Sequence, residues 1–186
     1  MRLFAALVPP VDALAEVGVA ARALRDVPDA EALRWNDPVG WHVTLAFYGE
    51  TADALLPVLR DRLAAVARAH TAFTLRLAGG GSFGDRALWA GVAGDTDALA
   101  ALAAATDAAG RVTGVPGGRH HEAYRPRLTL AGGPKGADSV PLIPFVTALA
   151  AFSGMPWPAD RITLLSSDEY HRYTPQGEWP LAPGVR

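Results

Sequence analysis

Trp41-His42-Val43-Thr44-Leu45-Ala46 closely resembles a second segment of the same chain, Pro126-Arg127-Leu128-Thr129-Leu130-Ala131. His42 and Arg127 lie 85 positions apart, and so do Thr44 and Thr129. Both segments read as strands. Residues i and i+2 of a strand share one face, ~6–7 Å apart, and the residues between them face the other way. His42 and Thr44 therefore point together, with Val43 and Leu45 turned into packing. Arg127 and Thr129 pair in the same way in front of Leu128 and Leu130. An amphipathic helix follows each copy, the second after a loop. If the two strands lie side by side about a pseudo-twofold axis, four polar side chains converge on one groove. One alternating His/Thr strand is an ordinary solvated face; its repetition with matching apolar flanks is what gives the pattern weight.

Outward from these strands, Leu3 to Val8 reads as a buried strand, and Pro10 sits where a helix can begin because its missing N–H is not needed there. Leu14, Val17, Ala21 and Leu24 recur at helical spacing. A second helix carries Leu55, Leu59, Leu63 and Val66 on one stripe, and Pro57 restricts its start to near Asp53 or Ala54. Phe73, Leu75 and Leu77 alternate as in a half-buried strand. Gly79 to Gly84 reads as a loop, and Ala87 to Ala93 as a strand. Asp95 or Thr96 can cap a third helix through Leu99, Leu102 and Ala109. Tyr124 to Leu130 is a strand, a fourth helix carries Phe145, Val146 and Leu149, and Ile162 to Leu165 is a strand. His171-Arg172-Tyr173 and Glu178-Trp179-Pro180-Leu181 read as a closing hairpin. Several strands are joined by loops too short for a parallel crossover. The expected fold is α+β and mostly antiparallel, with residues 1–186 forming one compact domain of two lobes, one carrying residues 42–45 and the other 127–130.

Composition narrows the function. Half of the 186 residues are hydrophobic, 19% are charged, and the formal net charge is -2. This excludes a disordered chain and a surface coated in positive charge for long nucleic acid. With no Cys there is no disulfide, cysteine nucleophile or thiolate metal site. The apolar run Leu3 to Val8 ends at Pro9-Pro10, too short for an export signal or a spanning helix, so a cytoplasmic, membrane-free protein is expected. No metal-ligand spacing occurs, and Gly79-Gly80-Gly81 is not followed by the Gly-Lys-Ser/Thr of a phosphate loop. No metal, organic cofactor or protein partner is implied, and a monomer is expected.

The two strands resemble the paired His-x-Thr motifs of the two-histidine (2H) phosphoesterase superfamily, and in particular the bacterial RNA 2′,3′-cyclic phosphodiesterases, also called 2′-5′ RNA ligases. The resemblance runs through Met1-Arg2-Leu3-Phe4-Ala5-Ala6, Arg34-Trp35, His42 to Glu50, Ser82-Phe83-Gly84, Leu88 to Val92, Tyr124 to Ala131 and Trp179-Pro180-Leu181. It implies a bilobal pseudo-twofold fold in which two antiparallel sheets form a central groove with helices outside. It also implies hydrolysis of 2′,3′-cyclic phosphate ends to a 2′-phosphate, with 2′-5′ ligation in some members. The implied catalytic set is His42, Thr44, Thr129 and Arg127, and the ligands are RNA ends or small nucleotides with a 2′,3′-cyclic phosphate.

The sequence departs from that family at one place: Arg127 stands where the pattern has its second histidine. A guanidinium stays protonated at any useful pH, so it cannot act as a base and is a very poor acid, although it can hold a phosphate. Two readings follow: an enzyme with weakened turnover, or a non-catalytic RNA-end or nucleotide-binding module. Arg125 reads as a phosphate contact or a surface charge. Tyr124, Phe83 and Trp35 read as base-stacking residues or as core. His121, six residues before Arg127, reads as a substitute imidazole, a weak phosphate contact or a solvated loop residue. His70 reads as a helix C-terminal side chain, and His171 as a hairpin residue without a named partner.

Overall fold

A computed structural model describes residues 1–117, 123–136 and 138–184. The elements run β1 (Arg2–Leu7), α1 (Val11–Ala23), β2 (Arg34–Trp35), β3 (Val43–Glu50), α2 (Leu56–Ala69), β4 (Phe73–Phe83), β5 (Ala87–Gly94), α3 (Thr96–Thr113), β6 (Arg127–Gly132), α4 (Ile143–Leu149), β7 (Trp157–Ala159), β8 (Arg161–Ser167) and β9 (Tyr173–Pro180). A 3-10 turn at Asp53–Leu55 precedes α2, so Pro57 falls in the helix's first turn, where its missing donor costs nothing.

The two expected sheets are one. The strands form a single curled antiparallel sheet in the order β7-β4-β5-β6-β3-β1-β8-β9, with β2 added to β6. The repeated strands β3 and β6 are its central neighbours and pair at Val43↔Leu128. These two residues are equivalent under the 85-residue repeat, so the local dyad passes through the one pair that joins the halves. The repeat pattern announces two similar halves, but it does not say whether the innermost strands bond to each other.

Two further expectations are corrected. Gly79 to Gly84 is not wholly a loop: β4 runs on to Phe83, pairing with β5 through Phe83↔Ala87 across a register shift between Leu77 and Gly80. Glycines weaken a strand's signal, but here they let backbones and rings approach. A Cβ on Gly81 would lie 2.3 Å from the Trp89 ring. The closing segments, 171–173 and 178–181, do not pair with each other. Tyr173 and Glu178 to Pro180 lie on one strand, β9, whose partner is β8.

The helices cover one face of the sheet. Val43, Leu45, Leu128 and Leu130 join a continuous core with Val17, Leu59, Leu63, Leu99, Leu102 and Phe145. On β1 the odd residues Leu3, Ala5 and Leu7 enter this core, whereas Phe4 and Ala6 pack with Leu165 and Tyr173 on the opposite, helix-free face. Two helices cross the seam. α1 follows β1 yet packs on β4 of the other half, and α3 follows β5 yet packs on β3. The third helix also starts differently from the expected cap. The Asp95 carboxylate accepts from the Thr74 amide instead of capping α3.

Candidate active site

Both motif strands turn their polar residues to the helix-free face. Val43 and Leu128 are fully buried beneath the seam, while His42, Thr44, Arg127 and Thr129 are half-buried above it. Continuing the Val43↔Leu128 register by one residue sets His42 opposite Thr129 and Thr44 opposite Arg127. All four line one cleft of about 220 Å3, together with Arg125. No acidic residue lies among the described residues lining it, so two guanidinium groups set its sign and it favours an anion.

His42 is held from four sides. One ring nitrogen, Nδ1, lies 2.7 Å from the Gly40 carbonyl, which can only accept, so Nδ1 carries the proton. The other, Nε2, is 3.1 Å from the Thr44 hydroxyl and accepts from it in the neutral ring. The imidazole packs against Phe4 at 4.7 Å and Tyr173 at 5.2 Å between ring centroids. Burial in this aromatic setting pushes the imidazole below its usual 6.5, with the Gly40 hydrogen bond opposing. At neutral pH the cleft therefore offers an uncharged imidazole with its lone pair at Nε2, the state a general base needs.

Arg127 is held by a ring and a carbonyl. Its guanidinium stands 4.5 Å above the Phe83 ring, and one nitrogen donates to the Arg125 carbonyl at 2.9 Å. A cation over an aromatic face is held in orientation without losing its charge. Arg125, Arg127 and Phe83 also line an adjoining groove with Arg86.

The other expected residues fall as follows. The Tyr124 hydroxyl donates to the Thr44 carbonyl at 2.7 Å, so a residue just before the second motif ties down the strand of the first. Burial raises the Tyr124 phenol well above its usual range, with nearby Arg127 opposing. Trp35 lies away from the cleft: its indole donates to the Ala30 carbonyl at 2.8 Å, with Arg25 over the ring at 4.3 Å and Phe145 edge-on at 6.4 Å. His121 lies outside the described residues. His70 closes α2, its Nδ1 donating to the Val66 carbonyl at 2.8 Å. Three cleft residues were missed from sequence. Asn36 bonds the Thr129 and Leu130 carbonyls; it stood in a polar stretch read only as a connection. Tyr173 stood in a segment read as a hairpin, and the Gly40 carbonyl is backbone, which no residue pattern reports. Among the described residues no group of three His, Asp or Glu side chains could hold a metal ion, and no helix is long and apolar enough to cross a membrane.

A repeated pair of strands thus aims an imidazole, a guanidinium and two hydroxyls into one cleft that favours an anion. The chain belongs to the 2′-5′ RNA ligase superfamily, whose family model matches residues 10–171. Among solved structures it is similar to the Thermus thermophilus protein TT0787 (25% identity, 100% of both chains, TM-score 0.78). It is also similar to E. coli LigT in its apo form (26% identity, 97% of both chains, TM-score 0.72). E. coli LigT complexed with 3′-AMP matches at 26% identity over 97% of both chains with a TM-score of 0.74. None of the curated protein sequences matches this chain.

Proposed function

We propose that this protein binds RNA ends or small nucleotides carrying a 2′,3′-cyclic phosphate and opens the ring to a 2′-phosphate, slowly. The observation that supports this most directly is that His42 and Thr44 from one repeat and Arg127 and Thr129 from the other line the same cleft. E. coli LigT, similar over nearly the whole chain, has been crystallised with 3′-AMP and with ATP, which favours a nucleotide as ligand here.

In the proposed reaction the phosphate sits over the seam. Water attacks phosphorus while His42 Nε2 takes its proton, and the bond from phosphorus to the ribose 3′-oxygen breaks. Thr44 turns its hydroxyl from His42 Nε2, which frees the lone pair, and with Thr129 and Arg127 donates to the non-bridging oxygens, where charge grows in the transition state. The departing 3′-oxygen needs a proton, and Arg127, standing where the family pattern has a histidine, cannot release one at neutral pH. In this reading that proton comes from solvent, and losing one positioned acid costs about 10²–10⁴-fold in rate. Attack by a 5′-hydroxyl in place of water would use the same groups and give a 2′-5′ linkage. The second reading, a binding module without turnover, draws on Arg127 alone: a cation fixed over Phe83 retains phosphate affinity whether or not chemistry follows.

Turnover of a 2′,3′-cyclic nucleotide separates the two readings. The expected result is slow release of the 2′-phosphate by the unaltered chain and an increase of about 10²-fold or more in Arg127→His. Rapid turnover by the unaltered chain, or none by either form with binding intact, would reject the hydrolase reading as stated.

A further inference from the structure

Beyond the central cleft, on the far side of His42, lies a second one of about 150 Å3, whose lining includes Arg2, Phe47, Ser167 and His171. It shares His42, Thr44 and Tyr173 with the first, so the two form one continuous groove over the sheet. We propose that this second cleft is a subsite for the neighbouring nucleotide of a single-stranded RNA end whose terminal phosphate occupies the central cleft; the proposal rests on the nucleotide-end reading above.

The first argument is Phe47. Strict alternation along β3 would send it inward with Val43 and Leu45. Between Ala5↔Ala46 and Ala6↔Thr44 the register shifts, and one residue of β3 is left without a partner. This bulge reverses the parity, so that Phe47 pairs with Phe4 on the helix-free face. Phe47 is 42% exposed. Bulges beside active sites commonly re-aim a side chain. An exposed aromatic beside a phosphate site suits the face of a base, which stacks whatever its identity.

The second argument is the charge above that ring. The Arg2 guanidinium stands 5.4 Å from the Phe47 centroid, where it can flank a stacked base and reach its phosphate. The opposing acidic neighbour, Glu50, is engaged by the chain's amino group at 3.4 Å. The third argument is His171, which takes φ 57°, a left-handed conformation uncommon outside glycine. Asp168 holds the turn by accepting from the amides of Tyr170 and Arg172 and from the Arg172 side chain. So held, the turn sets a second imidazole at the cleft wall. A cation, an imidazole and an aromatic face make a site for one base and one diester phosphate.

The test compares two product-like ligands that are not turned over, a nucleoside 2′-monophosphate and a dinucleotide ending in the same 2′-phosphate, titrated calorimetrically into the full chain. The dinucleotide is expected to bind about tenfold tighter or more, the range one base–aromatic stack supplies. Phe47→Ala is expected to bring that ratio close to one, and Arg2→Gln to reduce it together with its salt dependence. Equal affinities in the unaltered chain, or a ratio that survives Phe47→Ala, overturn the subsite while leaving the central site standing. Failure of both ligands to bind overturns the nucleotide-end reading and the subsite with it.

Discussion

His42 sits where four contacts decide its chemistry. The Gly40 carbonyl fixes the proton on Nδ1, Thr44 meets Nε2, and the Phe4 and Tyr173 rings remove water from the charged form. The folded pKa lies below 6.5, so the ring is neutral above that value and charges only as pH falls through it. A rate that needs the neutral ring is lost on the acid side of that lowered pKa and is flat above it, because Arg127 does not titrate in the working range. The expected kcat/KM profile for a 2′,3′-cyclic nucleotide therefore has a single acidic limb. Arg127→His adds a group that must be protonated, so its profile is expected to be bell-shaped. A bell in the unaltered chain would mean that another residue supplies the acid. The His42 pair with Thr44 was legible because i and i+2 share a strand face. The aromatic enclosure was not, because Phe4 and Tyr173 come from strands distant in sequence.

At the scale of elements, β3 and β6 touch in register at one pair, Val43↔Leu128, and the Tyr124 hydroxyl adds a second tie across the seam. Tyr124→Phe removes that donor and leaves the Thr44 carbonyl without it. A loss of about 0.5–1.5 kcal/mol is expected, read as a lower urea midpoint with an unchanged slope, and an unchanged midpoint would contradict the structural role given to this hydroxyl. Helices were easy to place, since apolar residues at 3.6-residue spacing announced α1, α2 and α3. Strand ends were harder. Gly79 to Gly84 carry turn chemistry, yet most of them continue β4, because a side chain at Gly81 would collide with Trp89 and one at Gly91 would come within 2.5 Å of the Ala78 carbonyl. The bulges on β3 were invisible for a related reason: an inserted residue changes which face every later residue meets without changing the composition of the strand.

For the whole molecule, the internal repeat foretold two similar halves meeting at a groove, and the side chains of His42, Thr44, Arg127 and Thr129 do share one cleft. The repeat did not foretell that the halves form one sheet, or that α1 and α3 each pack on the half opposite the strand they follow. Each half is then covered in part by a helix that follows a strand of the other, so the halves should not unfold separately. A single transition is expected, with tryptophan fluorescence and far-ultraviolet dichroism coincident; two separated transitions would contradict it. The central claim is that one phosphate is gripped by both halves together. Its most direct test is calorimetric titration of a nucleoside 2′-monophosphate into the chain and into Thr44→Val and Thr129→Val. Each loses a hydrogen bond to a charged group, so one site per chain is predicted, weakened about tenfold or more by either substitution. An affinity that depends on only one of the two threonines would contradict the account.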